Sequence, residues 1–223
     1  VYKRQIHVIK KSTAVFVLEQ ETWEDYRVYN KNTVHVGNSI VVQSYVQRHL
    51  HEEEVRFLYA GRLSAVKNVG PMIEAVKSYD RTCSFTILGD GEERGKMEKL
   101  ADGDKRIRFI GAVKPDEVQK AMKEADVLIM NSTFEGIPMT ILEAISQGLP
   151  VITTDVGGIK EVLTYGKDSE VTDGSVERIH TAMDKILLDY EAYAKAAYDK
   201  SLQFDYRKVN RKVFDVLNES LHW

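Results

Sequence analysis

Short apolar runs alternate with longer amphipathic stretches along most of this chain, and no other feature restricts its fold as tightly. The runs are Val55–Ala60, Ser84–Leu88, Ile107–Ile110, Val127–Met130, Pro150–Thr153 and Glu170–Thr172. They are short and mostly continuously apolar, as strands buried on both faces must be. Between and after them lie helical stretches: Val69–Tyr79, Arg94–Ala101, Pro115–Ala125, Met139–Gln147 and Val176–Leu188. Pro115 and Pro138 suit a first helical turn. Asp116 and Glu117 place acids at a helix N-terminus, where the helix dipole favours them. Gly148 stops the stretch before it, and Pro150 bars its continuation. The alternation predicts an α/β fold, a Rossmann-like parallel sheet with helices on both faces. Ligands in such sheets bind outside the carboxyl ends of the strands, so the loops there are the ones to read.

The flanks have a different texture. Ala14–Leu18 reads as a strand, Gln20–Tyr29 as a helix and Thr33–Val36 as a second strand. Gln43–Glu54 is polar and reads as a linker or surface loop. Helices Tyr190–Gln203 and Asp205–Leu221 follow the sheet region, the last with Val209, Val213, Leu217 and Leu221 as a narrow apolar stripe. The expected organisation is residues 1–33 as the remnant of a preceding domain or linker region, 34–188 as the Rossmann-like unit and 189–223 as C-terminal helices. Residues 1–33 are expected to pack thinly without the rest of such a domain.

Composition narrows the function. The 31 Lys and Arg against 34 Asp and Glu leave a formal charge of −3, without the basic excess of a dedicated nucleic-acid binder. The longest stretch free of those residues, Asn32–Gln47, is polar and no membrane span. A single cysteine, Cys83, forms no internal disulfide or Cys-rich zinc site and suits a reducing compartment. The six histidines lack metal-ligand spacing, and Asp102-Gly103-Asp104 reads as a helix-ending turn at the amino end of the sheet. No metal site is assigned.

Three loops carry chemistry. Gly61-Arg62-Leu63 with Lys67 brings two cations to a helix start, a plausible diphosphate cradle, although two surface cations explain the same residues. Gly89-Asp90-Gly91 is a partial dinucleotide fingerprint with Arg94 where a third glycine belongs; it reads as a tight turn that lets a ligand near the backbone. Asn131–Pro138 leads into a helix holding Glu143 among Ile141, Leu142, Ala144 and Ile145. A carboxylate so surrounded needs a partner, and a sugar diol would supply one. Glu135 lies in the loop beside helix-terminal amides, which suit an anionic or hydroxyl-rich ligand.

In order and spacing these loops resemble the retaining GT-B glycosyltransferases of the glycosyltransferase family 4, or group 1, kind. Glu135 through Glu143 resembles that family's Glu-x7-Glu signature, Gly61-Arg62-Leu63 with Lys67 its phosphate-binding cations, Ile87–Gly91 its GxG loop, and Thr154–Glu161 its Gly-Gly element. The match runs from about Val34 to Thr172 and corresponds to the C-terminal half of a GT-B fold. The resemblance implies a donor-binding domain that transfers a hexose-type sugar from a nucleotide sugar to a glycan or lipid-linked acceptor, in polysaccharide or glycoconjugate synthesis. Arg62 and Lys67 would hold the diphosphate and stabilise the leaving group, with no metal cofactor. Glu143 would take the ribose hydroxyls. Glu135, with the amides of Gly136, Ile137, Met139 and Thr140, would contact the sugar and a phosphate. Backbone at Gly61, Gly89 and Val113 would line the nucleotide. Arg62, Lys67 and Glu135 are thus the catalytic expectations.

The same resemblance implies a cytoplasmic protein, allows peripheral contact with the inner face of a membrane, and leaves the acceptor-binding N-terminal domain outside this chain, so that the chain alone would be poorly active. Alternatives stay open: a non-catalytic sugar-nucleotide-binding subunit of a split transferase, a different GT-B enzyme such as a nucleotide-sugar epimerase, or a plain α/β interaction domain without nucleotide affinity.

Overall fold

The computed structural model describes residues 2–221, with the side chains of Tyr2, Ser220 and Leu221 outside the description, so the last member of the apolar stripe lies outside the described residues. The chain forms two compact units, one of residues up to Val42 together with those from Gln203 onward, the other Gln43–Leu202. The boundaries expected at 34 and 188 therefore move: residues 34–42 belong with the preceding segment, and the helix after Leu188 stays with the sheet.

The larger unit carries six parallel strands, β3 (Val55–Ala60), β4 (Cys83–Leu88), β5 (Ile107–Gly111), β6 (Val127–Met130), β7 (Val151–Thr154) and β8 (Ser169–Thr172). They lie in the order β5-β4-β3-β6-β7-β8. Helices cover both faces: α3 (Gly70–Ser78), α4 (Arg94–Ala101), α5 (Pro115–Glu124), α6 (Met139–Ser146), the short α7 (Ile159–Val162), α8 (Val176–Leu188) and α9 (Tyr190–Ser201). All of β6 and β7 is buried, which is why their sequences run apolar without alternation. Phe57, Tyr59, Phe85, Ile87, Ile129 and Ile152 are among the sheet residues of the core.

Element ends follow local chemistry. Pro115 opens α5, and the Glu117 side chain accepts from the Lys114 amide at 2.9 Å. Pro138 is not within the first turn of α6 but caps it from extended backbone. Asp102 closes α4 in the left-handed region, and Asp104 turns its carboxylate onto Arg106 at 2.7 Å, so the Asp-x-Asp is a turn at the amino end of β5.

The stretch 43–54 is more than a linker. Arg48 donates to the carbonyls of Met122, Lys123 and Ala125 at the end of α5, to Gln147 O beyond α6 and to Tyr190 Oη. His51 Nδ1 stands 2.7 Å from the buried Asp126 carboxylate, which also accepts from the Arg56 amide. Arg48 thus satisfies helix-terminal carbonyls that the fold leaves orphaned.

The smaller unit holds α1 (Tyr2–Lys11), β1 (Val15–Val17), α2 (Gln20–Arg27), β2 (Thr33–His35) and α10 (Tyr206–Leu221). β1 and β2 pair in parallel across α2, giving one β-α-β turn. Trp23 Nε1 donates to Thr33 O, and Asn30 Nδ2 to Ile9 O and Ser12 O. Burial is thin: α2 buries none of its residues, and Phe16 and Leu18 stay exposed.

Candidate functional site

Strand order reverses between β3 and β6, the point where a doubly wound sheet opens a crevice at its carboxyl ends. The loops that follow these two strands carry Gly61–Lys67 and Asn131–Pro138. The motif residues of the Gly61–Lys67, Gly89–Gly91 and Glu135–Glu143 segments lie on the carboxyl-end rim of the sheet or on the α6 that leads away from it.

The loops are interlocked in pairs. Behind β3, the Gly61 amide donates to Leu88 O and the Leu63 amide to Asp90 O, both at 2.9 Å. Gly89 (φ +128°) sits so close that a Cβ there would fall 1.8 Å from Gly61 O; one on Gly91 would fall 2.2 Å from Leu63 O. Beyond the tight turn expected of it, this Gly-x-Gly makes room for the neighbouring loop. Behind β6 the pattern repeats. Gly157 (φ +57°) would put a Cβ 1.7 Å from Glu135 O, and the Gly158 amide donates to Gly136 O at 3.2 Å. The Gly-Gly element supports the Glu135 loop.

Across the seam the two loops meet through side chains. Lys67, at the end of the 3-10 turn Ala65–Lys67, places Nζ 2.5 Å from Glu135 Oε1. Ser132 Oγ donates to the same oxygen at 2.6 Å. The side chain of Glu135 is 9% exposed and that of Lys67 24%. Below them, Tyr59 Oη donates to Arg62 O at 2.7 Å, and burial, with the Glu135 charge adding to it, holds this phenol well above its ordinary range.

The β3–β4–β5 side is open. A pocket of about 350 Å³ is lined by Gly61, Arg62, Gly89, Val113, Thr140 and Glu143, with other rim residues between them. The carboxylate of half-buried Glu143 has no hydrogen-bond or ion-pair partner among the described residues, and burial pushes it above the usual range. Its apolar neighbours Ile141, Leu142, Ala144 and Ile145 are fully buried on the other side of the helix. The Arg62 side chain is 72% exposed and pairs at 3.2 Å with the exposed Glu92, a contact that costs little to exchange. The first backbone bond of α6 runs from the Ile141 amide to Pro138 O, so the Met139 and Thr140 amides point ahead of the helix.

The structure therefore brings Gly61, Arg62, Gly89, Val113, Thr140 and Glu143 around one pocket, and Lys67 and Glu135 together beside it. Gly136, Ile137 and Met139 lie in the segment that joins the two, at the start of α6. Two residues escaped sequence reading. Ser132 had only its position at a strand end as a signal. Tyr59 reads as one more core residue of a strand, and nothing in a sequence aims its hydroxyl at the Arg62 carbonyl.

An α/β unit with cations, carboxylates and helix-terminal amides gathered at its switch point has groups complementary to phosphate and hydroxyl. The family model described as glycosyl transferases group 1 matches residues 43–201, the larger unit almost to the residue. The chain belongs to that family. It is 27% identical over 168 residues to the sulfoquinovosyl transferase SQD2 of Arabidopsis thaliana, covering 72% of this chain and 32% of that one. It is likewise 27% identical over 191 residues to the alpha-monoglucosyldiacylglycerol synthase of Acholeplasma laidlawii, covering 73% and 48%. Among solved structures, Anabaena HepE in complex with UDP and glucose superposes with a TM-score of 0.78 at 17% identity, over 97% of this chain and 66% of that one, which establishes the GT-B-type fold. The chain thus spans 32% and 48% of the lengths of these two curated relatives. No helix among the described residues is long and apolar enough to cross a membrane.

Proposed function

We propose that this chain is the donor-binding half of a retaining glycosyltransferase, which moves a hexose-type sugar from a nucleotide sugar to a glycan or lipid-linked acceptor. The observation that carries the reading is the unpartnered Glu143 carboxylate in a pocket with Arg62 and Gly89, beside the Lys67–Glu135 pair. Such a carboxylate is an acceptor waiting for two hydroxyls. The ribose diol meets it there, with the base toward Gly89 and Val113. The diphosphate then lies between Arg62, Lys67 and the leading amides of α6.

Binding exchanges partners. Lys67 swings from Glu135 to phosphate, and Arg62 leaves Glu92. Glu135, held by Ser132, turns its charge toward the anomeric carbon. As the bond from that carbon to the phosphate oxygen breaks, positive charge grows on the sugar and negative charge on the leaving group. Glu135 opposes the first, and Arg62 with Lys67 the second. The acceptor oxygen attacks on the face the phosphate leaves and passes its proton to that phosphate, which retains configuration. Two permanent cations at the leaving group make a divalent metal unnecessary in this reading.

The acceptor side belongs to a domain outside this chain, so the chain alone transfers slowly. The name of the Acholeplasma laidlawii relative, a monoglucosyldiacylglycerol synthase, supports a glycolipid or related glycoconjugate product, and the solved neighbour's UDP and glucose support a nucleotide-sugar donor. Calorimetric titration with UDP, GDP, ADP and their sugar conjugates, without added metal, tests the reading. Saturable binding to one nucleotide, lost in both Arg62→Ala and Glu143→Ala, is expected. No binding to any of them at about 1 mM, where even a contact of about 4 kcal/mol would register, overturns it.

A further inference from the structure

The donor reading asks Arg62 to meet a diphosphate, and no packing around its side chain aims it there. That side chain is exposed, and so is Glu92, its ion-pair partner among the described residues. A guanidinium so placed is directed by the backbone that carries it. The turn at Arg62 is tied on both sides. The Gly61 amide donates to Leu88 O and the Leu63 amide to Asp90 O, and Leu63 O accepts from the Glu93 amide at 3.0 Å. The Arg62 carbonyl itself accepts twice, from the Ser64 amide at 3.2 Å and from Tyr59 Oη at 2.7 Å. The Tyr59 bond is the shorter, and its donor belongs to a fully buried side chain, where water does not compete for it.

Three observations separate the Tyr59 hydroxyl from the packing of its ring. The residues that share its face of the sheet, Phe57 on β3 and Phe85 and Ile87 on β4, carry no polar side-chain atom. A phenylalanine would fill the same space, so the hydroxyl adds only its bond. Second, Gly61 does not take a positive φ, so its backbone does not call for glycine. Yet a Cβ at Gly61 would lie 2.9 Å from Tyr59 Oη and 3.2 Å from Cζ. What keeps a side chain off residue 61 is the phenol passing beneath it toward Arg62. Third, burial and the charge of Glu135 hold the phenol far above its ordinary range, so it remains a donor at every working pH.

We propose that Tyr59 is a positioning residue for the donor diphosphate, its hydroxyl holding the Arg62 carbonyl so that the guanidinium is presented at the pocket lined by Gly61, Gly89 and Glu143. The proposal rests on the donor reading, because a ligand without phosphate has no use for Arg62. Tyr59 touches no ligand in this assignment. Without its hydroxyl, Arg62 O keeps only the longer bond from Ser64, the peptide that follows Arg62 gains freedom, and the guanidinium spreads over more positions. The loss falls on that part of binding which Arg62 carries, as lost preorganisation.

The test is an amide-resolved NMR titration of the parent chain, Tyr59→Phe, Arg62→Ala and the double variant with UDP, GDP and ADP and with uridine, guanosine and adenosine. For the diphosphate that the parent binds, Tyr59→Phe should weaken affinity about fivefold, the ratio one neutral hydrogen bond is worth. Affinity for the matching nucleoside should stay within a factor of about two, and so should diphosphate affinity when Tyr59→Phe is added to Arg62→Ala. Chemical denaturation checks that each variant is folded under the titration conditions. A Tyr59→Phe chain that binds the diphosphate as tightly as the parent overturns the proposal. So does a loss that persists undiminished in the Arg62→Ala background or reaches the nucleoside equally, since a packing defect would do the same. A parent chain that binds none of the three diphosphates removes the donor reading, and the proposal with it.

Discussion

The two sides of the β3/β6 seam are built alike and left in opposite states. On each, a glycine pair packs one strand-end loop onto the next, Gly89 and Gly91 under Gly61–Leu63, Gly157 and Gly158 under Glu135–Ile137. Yet the first side ends in polar groups with no settled partner, the exposed Arg62 and the unpaired Glu143, while the second closes on itself, with Lys67, Ser132 and Glu135 mutually satisfied. The difference teaches that one half of the site is open before a ligand arrives and the other must first give up a bond. Affinity would come chiefly from the open half, and the step that commits the donor from the closed one.

The sharpest way to break the comparison is to unseat the loops. Gly89→Ala and Gly157→Ala each drive a Cβ against a carbonyl oxygen at positive φ, so each should lower unfolding free energy by about 2–5 kcal/mol. Chemical denaturation measures it; a loss confined to one of them would show that the halves are not equivalent. Next comes Lys67→Ala, which removes the ion pair and leaves the Glu135 carboxylate with the Ser132 hydroxyl as its remaining partner among the described residues. A loss of about 1.5–3 kcal/mol is expected, together with weaker diphosphate binding. If the closed half gates the donor, Lys67→Arg keeps stability and changes nucleotide on-rate.

Arg62→Ala acts on the open half and should do the reverse. Its exposed pair with Glu92 is worth under about 1 kcal/mol, so melting stays put while nucleotide affinity falls about tenfold. Smaller still is the pH effect at Glu143. Its carboxyl is raised by burial, so the folded state holds the proton more tightly than the unfolded chain. That stabilisation is full in acid and fades as pH rises through the raised value. Ribose hydroxyls need the ionised form, so nucleotide affinity should drop on acidification at a higher pH than an ordinary glutamate would set. Glu143→Gln should erase this dependence in titrations across mildly acid pH. Finally, EDTA should leave nucleotide binding unchanged; a loss would remove the role given to Arg62 and Lys67 at the leaving group.

Much of the fold was legible because its strands lie between helices. β3 and β6 match the apolar runs Val55–Ala60 and Val127–Met130 residue for residue, and α4 and α8 match their amphipathic stretches. Continuous apolarity is what two-sided burial demands, so the signal and the cause coincide. The loops were legible as chemistry but not as mechanics. Gly89 announces an approach without saying what approaches, and the answer was backbone. Glu143 was read as needing a partner, and it stands half-buried with none. Arg48 was hidden for a different reason: its partners are carbonyls of Met122, Ala125 and Gln147, and a sequence pattern records side chains rather than the main-chain oxygens a helix leaves behind. The short α7 and the basic α1 went unread, the one for lack of length, the other for lack of an apolar face long enough to declare a period.

Arg48 and His51 also decide where this protein tolerates a cut. A recombinant piece beginning at Val55, the natural place to trim a parallel-sheet unit, would keep every strand and every motif and still lose both residues. The ends of α5 and α6 would then face solvent unclasped, and Asp126, whose side chain is 1% exposed, would keep the Arg56 amide and lose its imidazole. Trimming to Gln43 instead preserves them, along with the Tyr45–Tyr198 ring contact and the Tyr198 bond to Gln43 O that sew the segment to α9. The boundary for expression is thus set by twelve residues of apparent linker, and a library of truncations should show its step in soluble yield between Gln43 and Val55.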